Sequence, residues 1–210
     1  KIYGIELDSI TGRIAQQLYQ RNSIAIQGYE DTTLPDSFFD VAIGNVPFGD
    51  YKLSDKKYNK HNFLIHDYFF AKTLDKVRPG GIVAFITSSG TMDKRNSKVR
   101  QYIAQRADLV GAIRLPNNAF LKNAGTEVTT DIIFLQKKGA ETPEKENELN
   151  WISIGETEEG LPINSYFAEN PDMVLGKVVE GNKLYGSGTM VIAEEGADLK
   201  EQIHTAVSKL

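Results

Sequence analysis

Short apolar runs alternate with amphipathic stretches through the first two-thirds of the 210-residue chain. The apolar runs predict six strands, at 1–6, 24–27, 39–44, 81–87, 109–115 and 129–136. The stretches between them predict helices at 9–21, with Ser9 as N-cap, at 61–77 and at 97–106. The runs 41–43 and 82–86 are apolar throughout, as strands buried on both faces are. This alternation is typical of an α/β fold with a mostly parallel sheet.

Proline, glycine and charge mark the predicted boundaries. The tripeptide 79–81 predicts a sharp helix-to-strand turn, because proline cannot continue a helix and glycine adopts a left-handed cap. The charged segment 139–150 predicts a linker after a main domain at 1–138. The periodicity of 151–210 is weaker, and we interpret it as a small C-terminal extension or connector, with 164–167 and 173–176 as its own small core.

Composition limits the classes of function. No apolar run reaches the roughly 18 residues of a membrane helix, and the absence of cysteine suits a reducing cytoplasm. The net charge of −4 argues against a basic surface over the whole chain, so any contact with DNA has to be local or shared with other segments. The chain opens at Lys1 directly with a strand, which predicts that it is part of a larger protein.

The segment with the clearest chemistry is Asn45-Val46-Pro47-Phe48, at the carboxyl end of a predicted buried strand. Open α/β sheets bind ligands at this edge. The Asn45 side-chain oxygen and the Val46 carbonyl supply two acceptors for an amine, and the Phe48 ring offers a face for stacking. A strand-end turn without chemistry is the alternative, since asparagine, proline and glycine all favour turns.

This tetrapeptide resembles the Asn-Pro-Pro-Tyr/Phe catalytic motif of N6-adenine DNA methyltransferases. The resemblance covers about 1–138 and implies a Rossmann-like, S-adenosylmethionine-dependent methyltransferase fold with an antiparallel last strand. Val46 departs from the usual proline. The family uses the backbone carbonyl at this position, so the change leaves the acceptor in place, and the following proline favours an extended Val46.

Two acidic residues precede the motif in the order that the family shows. Glu6 ends the first strand, where it would accept hydrogen bonds from a ribose diol. Glu30 follows the second strand, where the family places a contact to the adenine of the cofactor. The alternatives are a carboxylate favoured by a helix N-terminus, which suits Asp8 better than Glu6, and an ordinary loop carboxylate for Glu30.

The family's first strand and its glycine-rich cofactor turn lie before the position of Lys1. The resemblance therefore implies that the sheet lacks its first, central strand. We expect the isolated chain to bind S-adenosylmethionine weakly or not at all and to be inactive alone.

Further candidates lie after later strands and would contact the substrate. The loop after 109–115 resembles that of type I modification subunits, in which an aromatic residue at the position of Phe120 sandwiches the flipped base; a hydrophobic plug is the alternative. The predicted DNA contacts are Lys52, Lys56, Lys57, Lys94 and Arg95, and a solvated charged face is the alternative for them. The spacing of His61 and His66 does not fit a helical metal pair, so no metal site is predicted.

The sequence also resembles methyltransferase–helicase fusion proteins of phages and conjugative elements. That resemblance implies DNA and further domains of the same polypeptide, including a helicase-like one, as partners. A protein-glutamine methyltransferase, an RNA methyltransferase and a non-catalytic nucleic-acid-binding scaffold remain alternatives. The recognition sequence and any restriction partner are not predicted.

Overall fold

The computed structural model describes residues 1–139, 150–181 and 188–210. Its main part contains six strands and five helices. In chain order these are β1 (Tyr3–Glu6), α1 (Ser9–Leu18), β2 (Ser23–Ile26), β3 (Phe39–Asn45), α2 (Ile65–Lys76), β4 (Val77–Ser88), α3 (Gly90–Asp93), α4 (Lys98–Ala104), β5 (Ala107–Leu115), α5 (Leu121–Ala124) and β6 (Thr130–Lys137). The later elements are β7 (Ile154–Glu156), β8 (Pro162–Asn164), α6 (Ser165–Glu169), β9 (Lys177–Glu180), β10 (Thr189–Ile192) and α7 (Leu199–Val207).

The main part contains two sheets. The larger sheet has the order β3-β4-β6-β5, in which β3 and β4 are parallel and β6 is antiparallel to both of its neighbours. A separate parallel pair is formed by β1 and β2. The rings of Tyr3 and Phe39 meet edge to face with centroids 5.3 Å apart, so the amino ends of β1 and β3 lie side by side. This confirms the predicted α/β fold with an antiparallel last strand.

The strands β1 and β3 each pair on one side only within the described part of the chain. The two sheets of the main part meet through aromatic side chains. The expectation that the run 41–43 is buried on both faces is wrong, because Val41 is 57% exposed and Ile43 is 78% exposed. Both side chains stand on the same face of β3, which these residues leave uncovered.

The helices α1 and α4 end at Leu18 and Ala104, short of the predicted 21 and 106, and the cap of α1 and the start of α2 also differ from the prediction. The N-cap of α1 is Asp8 instead of Ser9: the Asp8 carboxylate accepts hydrogen bonds from the N–H groups of Ile10 and Thr11. The second helix begins at Ile65, because Asn62 takes a left-handed conformation with φ 57° after a short 3-10 turn. The differences at the cap of α1 and the start of α2 arise from neighbouring residues that are equally good turn or cap formers.

The expected helix-to-strand turn at 79–81 is also wrong. The chain enters β4 already at Val77, which pairs with Phe39, and the register then shifts between Phe39 and Val41. Gly80 has φ +76°, a conformation that favours glycine. Proline and glycine therefore form an irregularity within the strand, where the sequence suggested a turn before it.

The later segment shares the core of the main part. Trp151, Ile152, Phe167 and Met173 are each at most 5% exposed and belong to the same cluster as Phe70. The predicted linker lies almost entirely outside the described residues. A role for 151–210 as a connector stays a prediction. No helix of the described residues is long and apolar enough to cross a membrane.

Candidate active site

The tetrapeptide 45–48 leaves β3 at the carboxyl edge of the sheet. The Val46 N–H donates to the carbonyl of Ile86 at 3.0 Å, which extends the pairing of β3 with β4 by one residue. The Val46 side chain is 4% exposed and packs in the main core. Asn45 and Phe48 are exposed, Phe48 by 39%. A buried valine therefore anchors the tetrapeptide while its neighbours face outward.

The two acceptors of the tetrapeptide are available. Within the described residues, neither the Asn45 side chain nor the Val46 carbonyl takes part in a hydrogen bond. The Val46 carbonyl lies beside an anchored peptide N–H, and Asn45 is the last residue of β3. Two oxygen acceptors on adjacent residues suit an amine that carries two hydrogens.

Directly after the tetrapeptide, the backbone of Gly49 lies close to the Tyr51 ring. A Cβ added at Gly49 would lie 2.9 Å from the Tyr51 ring, so the glycine makes room for that ring. The Tyr51 carbonyl in turn accepts a hydrogen bond from the N–H of Ile65 at 2.9 Å, at the start of α2. The chain after Phe48 is thereby fastened to α2.

Glu6 lies at the end of β1, as predicted. One of its carboxylate oxygens, Oε1, accepts a hydrogen bond from the N–H of Asp8 at 2.9 Å. Asp8 itself caps α1, and its hydrogen bonds with Thr11 and Ile10 hold the pKa of Asp8 below its usual value. Asp8 thus caps the helix, the Glu6 carboxylate binds the N–H of that cap residue, and the cofactor role of Glu6 stays a prediction. The Glu6 carboxylate keeps one oxygen that no described residue binds, which fits a diol as ligand.

Glu30 lies in a short 3-10 turn, Tyr29–Asp31, after β2. Its carboxylate lies over Gly28: a Cβ at Gly28 would be 2.6 Å from Oε1 of Glu30. The turn is fastened to α2 by Tyr29, whose hydroxyl lies 2.9 Å from that of Thr73 and whose ring contacts Phe69. Burial raises the pKa of Tyr29 to about 12. Glu30 thus stands on a fixed support.

Sequence reasoning missed the residues that make this support. Lys72, on α2, is 3% exposed and donates to the carbonyl of Tyr29 at 2.7 Å and to Asp55 Oδ2 at 3.0 Å. The Tyr68 hydroxyl donates to the same Asp55 oxygen at 2.8 Å. A signal was present, because a lysine in a helix otherwise rich in aromatic residues demands an acidic partner.

The predicted DNA contacts fall into two groups. Lys52, Lys56 and Arg95 are exposed. Lys57 forms ion pairs with Asp36 at 3.1 Å and Asp75 at 2.7 Å, although half of its side chain stays exposed.

Lys94 lies 3.9 Å from the carboxylate of Asp67, which is buried. These pairs reduce the charge that Lys57 and Lys94 present to a phosphate.

Phe120 follows β5, which runs in the same direction as β3 and β4 because β6 is antiparallel to both neighbours. Its loop therefore lies at the same edge of the sheet as Asn45. The ring is partly buried against the main core. The Asn117 N–H donates to the Val191 carbonyl at 2.8 Å, so β10 holds this loop in place. Among the described rings, Phe48 and Phe120 do not touch.

The buried pair His66 and Asp67 lies at the start of α2. The His66 Nε2 is 3.4 Å from Asp67 Oδ1, and His66 Nδ1 has no hydrogen-bond partner among the described residues. Burial lowers the pKa of His66 and raises the pKa of Asp67. The described residues contain no group of three or more histidine, aspartate or glutamate side chains placed to hold a metal ion.

Comparisons with known proteins agree with this geometry. Residues 5–120 match the model of the Eco57I restriction-modification methylase family. Over 146 residues the chain is 34% identical to the Defense against restriction protein B of Escherichia phage P1; this covers 67% of the chain but only 6% of that protein.

Solved methyltransferases share the fold. A modification subunit of a proposed type I restriction enzyme from Vibrio vulnificus YJ016 aligns with a TM-score of 0.57 and 16% identity, over 80% of this chain and 47% of that one. A proposed class I S-adenosylmethionine-dependent methyltransferase from Listeria monocytogenes gives a TM-score of 0.54 and 23% identity, over 69% and 47%. The chain has an S-adenosylmethionine-dependent methyltransferase fold, and it belongs to the Eco57I restriction-modification methylase family.

Proposed function

We propose that this chain forms the catalytic part of a larger enzyme that methylates the exocyclic N6 amine of adenine in DNA, with S-adenosylmethionine as methyl donor. The observation that carries the proposal is the end of β3. There Val46 is anchored in the core, the Asn45 amide and the Phe48 ring are exposed, and the Val46 carbonyl accepts no hydrogen bond from the described residues. Membership in a restriction-modification methylase family supports DNA as the substrate.

The acceptors address the difficulty of the reaction. The lone pair of N6 is delocalised into the purine ring, so the amine is a poor nucleophile. Hydrogen bonds from its two N–H groups to Asn45 Oδ1 and to the Val46 carbonyl favour a pyramidal nitrogen. They also stabilise the positive charge that develops on it, which is an effect on the transition state. Neither acceptor needs a shifted pKa.

The ring of Phe48 would hold the base. An adenine inside duplex DNA has to leave the stack to reach Asn45, and an aromatic face compensates for part of the lost stacking. Phe48 has an exposed face beside the two acceptors. Phe120, on the loop after β5, is the candidate for the opposite side of the base, and its anchoring by β10 through Asn117 gives that loop a defined position.

The acidic residues Glu6 and Glu30 suit the cofactor. The free oxygen of Glu6 would accept hydrogen bonds from the ribose diol, and the Glu30 carboxylate from the adenine amine of the cofactor. When bound, S-adenosylmethionine supplies an electrophilic methyl group on a sulfonium.

Along the same edge, Lys52, Lys56 and Arg95 would contact the DNA backbone, with Lys57 and Lys94 contributing less because of their ion pairs. Further domains of the polypeptide, a helicase-like domain among them, would contribute the rest of the DNA contacts.

The decisive experiment uses the full-length protein with radiolabelled S-adenosylmethionine and unmethylated DNA, followed by nucleoside analysis. We expect N6-methyladenine from the wild type and a loss of about 100-fold or more in Asn45→Ala, by analogy with the removal of one transition-state hydrogen bond. Asn22→Ala is the matched control. Asn22 lies near the amino end of β1, where its side chain accepts from the N–H of Ile2, and full activity is expected.

The alternatives are outcomes of the same assay. Label in RNA, or in a peptide that carries an acceptor glutamine, with none in DNA would assign the chain to another class of amine or amide methyltransferase. A wild type without transfer to any acceptor would favour a non-catalytic scaffold. In both cases the proposed function would be wrong.

A further inference from the structure

We infer that Lys72 is a positioning residue that fixes the Glu30 turn for the cofactor and ties it to the loop 51–60 for DNA. The inference rests on the proposed function, since it takes Glu30 as a cofactor contact and that loop as a DNA contact. Its basis is the hydrogen bonding of a single buried ammonium group.

The Lys72 ammonium group has three N–H donors and three acceptors. The acceptors are the carbonyls of Tyr29, at 2.7 Å, and Glu30, at 3.2 Å, and the Asp55 Oδ2, at 3.0 Å. The side chain is 4% exposed, so the charge is out of water. Burial of an unpaired ammonium group is costly, and all three contacts are needed to offset that cost.

Two aromatic rings add to the binding of this charge. The Lys72 Nζ lies 5.1 Å from the centroid of the Tyr29 ring and 5.8 Å from that of Tyr68. Tyr68 also donates to Asp55. Although its partial burial acts in the opposite direction, the hydrogen bonds from Lys72 and Tyr68 hold the pKa of Asp55 below its usual value. The side chains of Lys72, Asp55 and Tyr68 thus form one connected hydrogen-bonded cluster.

The cluster connects the turn that carries Glu30 with the loop 51–60. On one side, Lys72 binds the two carbonyls within the turn that carries Glu30, whose amides at Asp31 and Thr32 donate back to Gly28 and Tyr29. On the other side, the Asp55 carbonyl accepts from the N–H groups of Tyr58 and Asn59.

The side chain of Asn59 closes the same loop by accepting from the Asp55 N–H at 2.9 Å. Asp55 is therefore the centre of the loop 51–60 that follows the catalytic tetrapeptide. Because one ammonium group holds both segments, the cofactor side and the DNA side of the site share a fixed geometry.

The chain offers a matched control one helical turn along α2. Lys76 donates to the Leu34 carbonyl at 2.7 Å and to Asp36 Oδ1 at 2.6 Å, and its side chain is 13% exposed. It thus has the same type of anchoring as Lys72 without touching the Glu30 turn. A merely structural role predicts similar behaviour for Lys72→Met and Lys76→Met.

The test compares steady-state kinetics of full-length wild type, Lys72→Met and Lys76→Met. We expect Lys72→Met to raise the KM for S-adenosylmethionine by tenfold or more and the KM for DNA several-fold. Lys76→Met should leave the KM for S-adenosylmethionine within twofold; it is a control for this constant only, because its partner Asp36 also pairs with Lys57. Similar KM values for S-adenosylmethionine in the two variants would overturn the inference. Hydrogen exchange supplies a second readout: the amides of Asp31 and Thr32 should exchange faster in Lys72→Met only.

A further variant covers the case in which Lys72→Met does not fold. Asp55→Asn keeps the shape and one acceptor oxygen, but it removes the carboxylate charge and replaces the other oxygen with an N–H donor. It should raise the KM for DNA by three- to tenfold with the KM for S-adenosylmethionine within twofold, and an unchanged KM for DNA would overturn the inference.

Failure of the inference is distinct from failure of the proposed function. A wild type without methyl transfer contradicts the proposed function, and unchanged exchange at Asp31 and Thr32 in Lys72→Met would then still overturn the tether. An active wild type whose KM values for S-adenosylmethionine do not distinguish Lys72→Met from Lys76→Met contradicts only the inference.

Discussion

The two outer strands of the larger sheet, β3 and β5, end at the same edge. The residues at the end of β3 are exposed, whereas the charged residues near the end of β5 are buried. At the end of β3 the Asn45 amide and the Phe48 ring are exposed, and apolar side chains on the same strand face outward. Near the end of β5 the charged groups are buried and paired. Arg114 is 1% exposed and bonds to Asp131 with two hydrogen bonds of 2.8 Å each and to Asp93 with one of 2.7 Å.

The comparison distinguishes residues that are exposed for ligand binding from residues that stabilise the fold. The candidate ligand-binding groups of β3 are exposed and unbound, whereas the charged groups near the end of β5 are buried and bound to one another. The Arg114 guanidinium also lies 4.3 Å from the centroid of the Phe167 ring, so the cluster links the sheet to α6. Burial of charge alone therefore does not indicate a catalytic group in this protein.

The largest expected effect on stability is at β5. Arg114→Met leaves two buried carboxylates without their cation, and the free energy of unfolding should fall by about 3–5 kcal/mol. Arg78→Met is the control, because Arg78 and Asp40 pair at 2.7 Å with about half and three-quarters of their side chains exposed. It should cost under about 1 kcal/mol. Urea denaturation measures both, and equal losses would contradict the comparison.

At the end of β3 the expected effect is on substrate binding. Phe48→Ala removes the stacking face and should weaken DNA binding by about 1–3 kcal/mol, which is roughly 5- to 150-fold. Phe48→Trp should keep most of the affinity. Fluorescence anisotropy with a DNA duplex measures the change, and equal affinities of Phe48→Ala and the wild type would exclude a stacking role.

The smallest expected effect is on the exposed face of β3. Ile43→Thr keeps a β-branched side chain at a position that is 78% exposed, so the free energy of unfolding should change by no more than about 0.5 kcal/mol. A loss above about 1 kcal/mol in the full-length protein would show that another part of that protein covers this face.

The sequence predicted the strands of the main part and the place of the candidate tetrapeptide at the end of one of them, because both depend on local patterns. The antiparallel last strand was implied by the family resemblance. An apolar run that ends in a turn peptide identifies β3 without knowledge of its neighbours. The burial of β3 was predicted wrongly for the same reason. Hydrophobicity shows that Val41 and Ile43 suit an interior, but not whether another element covers them.

Contacts between distant residues were beyond prediction. The separation of Lys72 from Tyr29 is 43 residues, and no local pattern indicates that they meet. The exact cap residue of α1 was also not predictable, because Asp8 and Ser9 are adjacent and both residue types favour the N-cap position. Only the backbone conformation shows that Asp8 is the cap.

The hydrogen bonds of Asn164 indicate where the chain can be truncated. Its side-chain amide donates to the carbonyls of Met92 and Trp151, at 2.7 and 2.9 Å, and its backbone N–H donates to Asp93 at 3.0 Å. Deleting everything after 138 would leave the Met92 carbonyl and the Asp93 carboxylate without these donors and would expose the apolar surface under Trp151. Gene dissection at that point would therefore yield an insoluble product, and the smallest independently expressed unit has to retain the later residues.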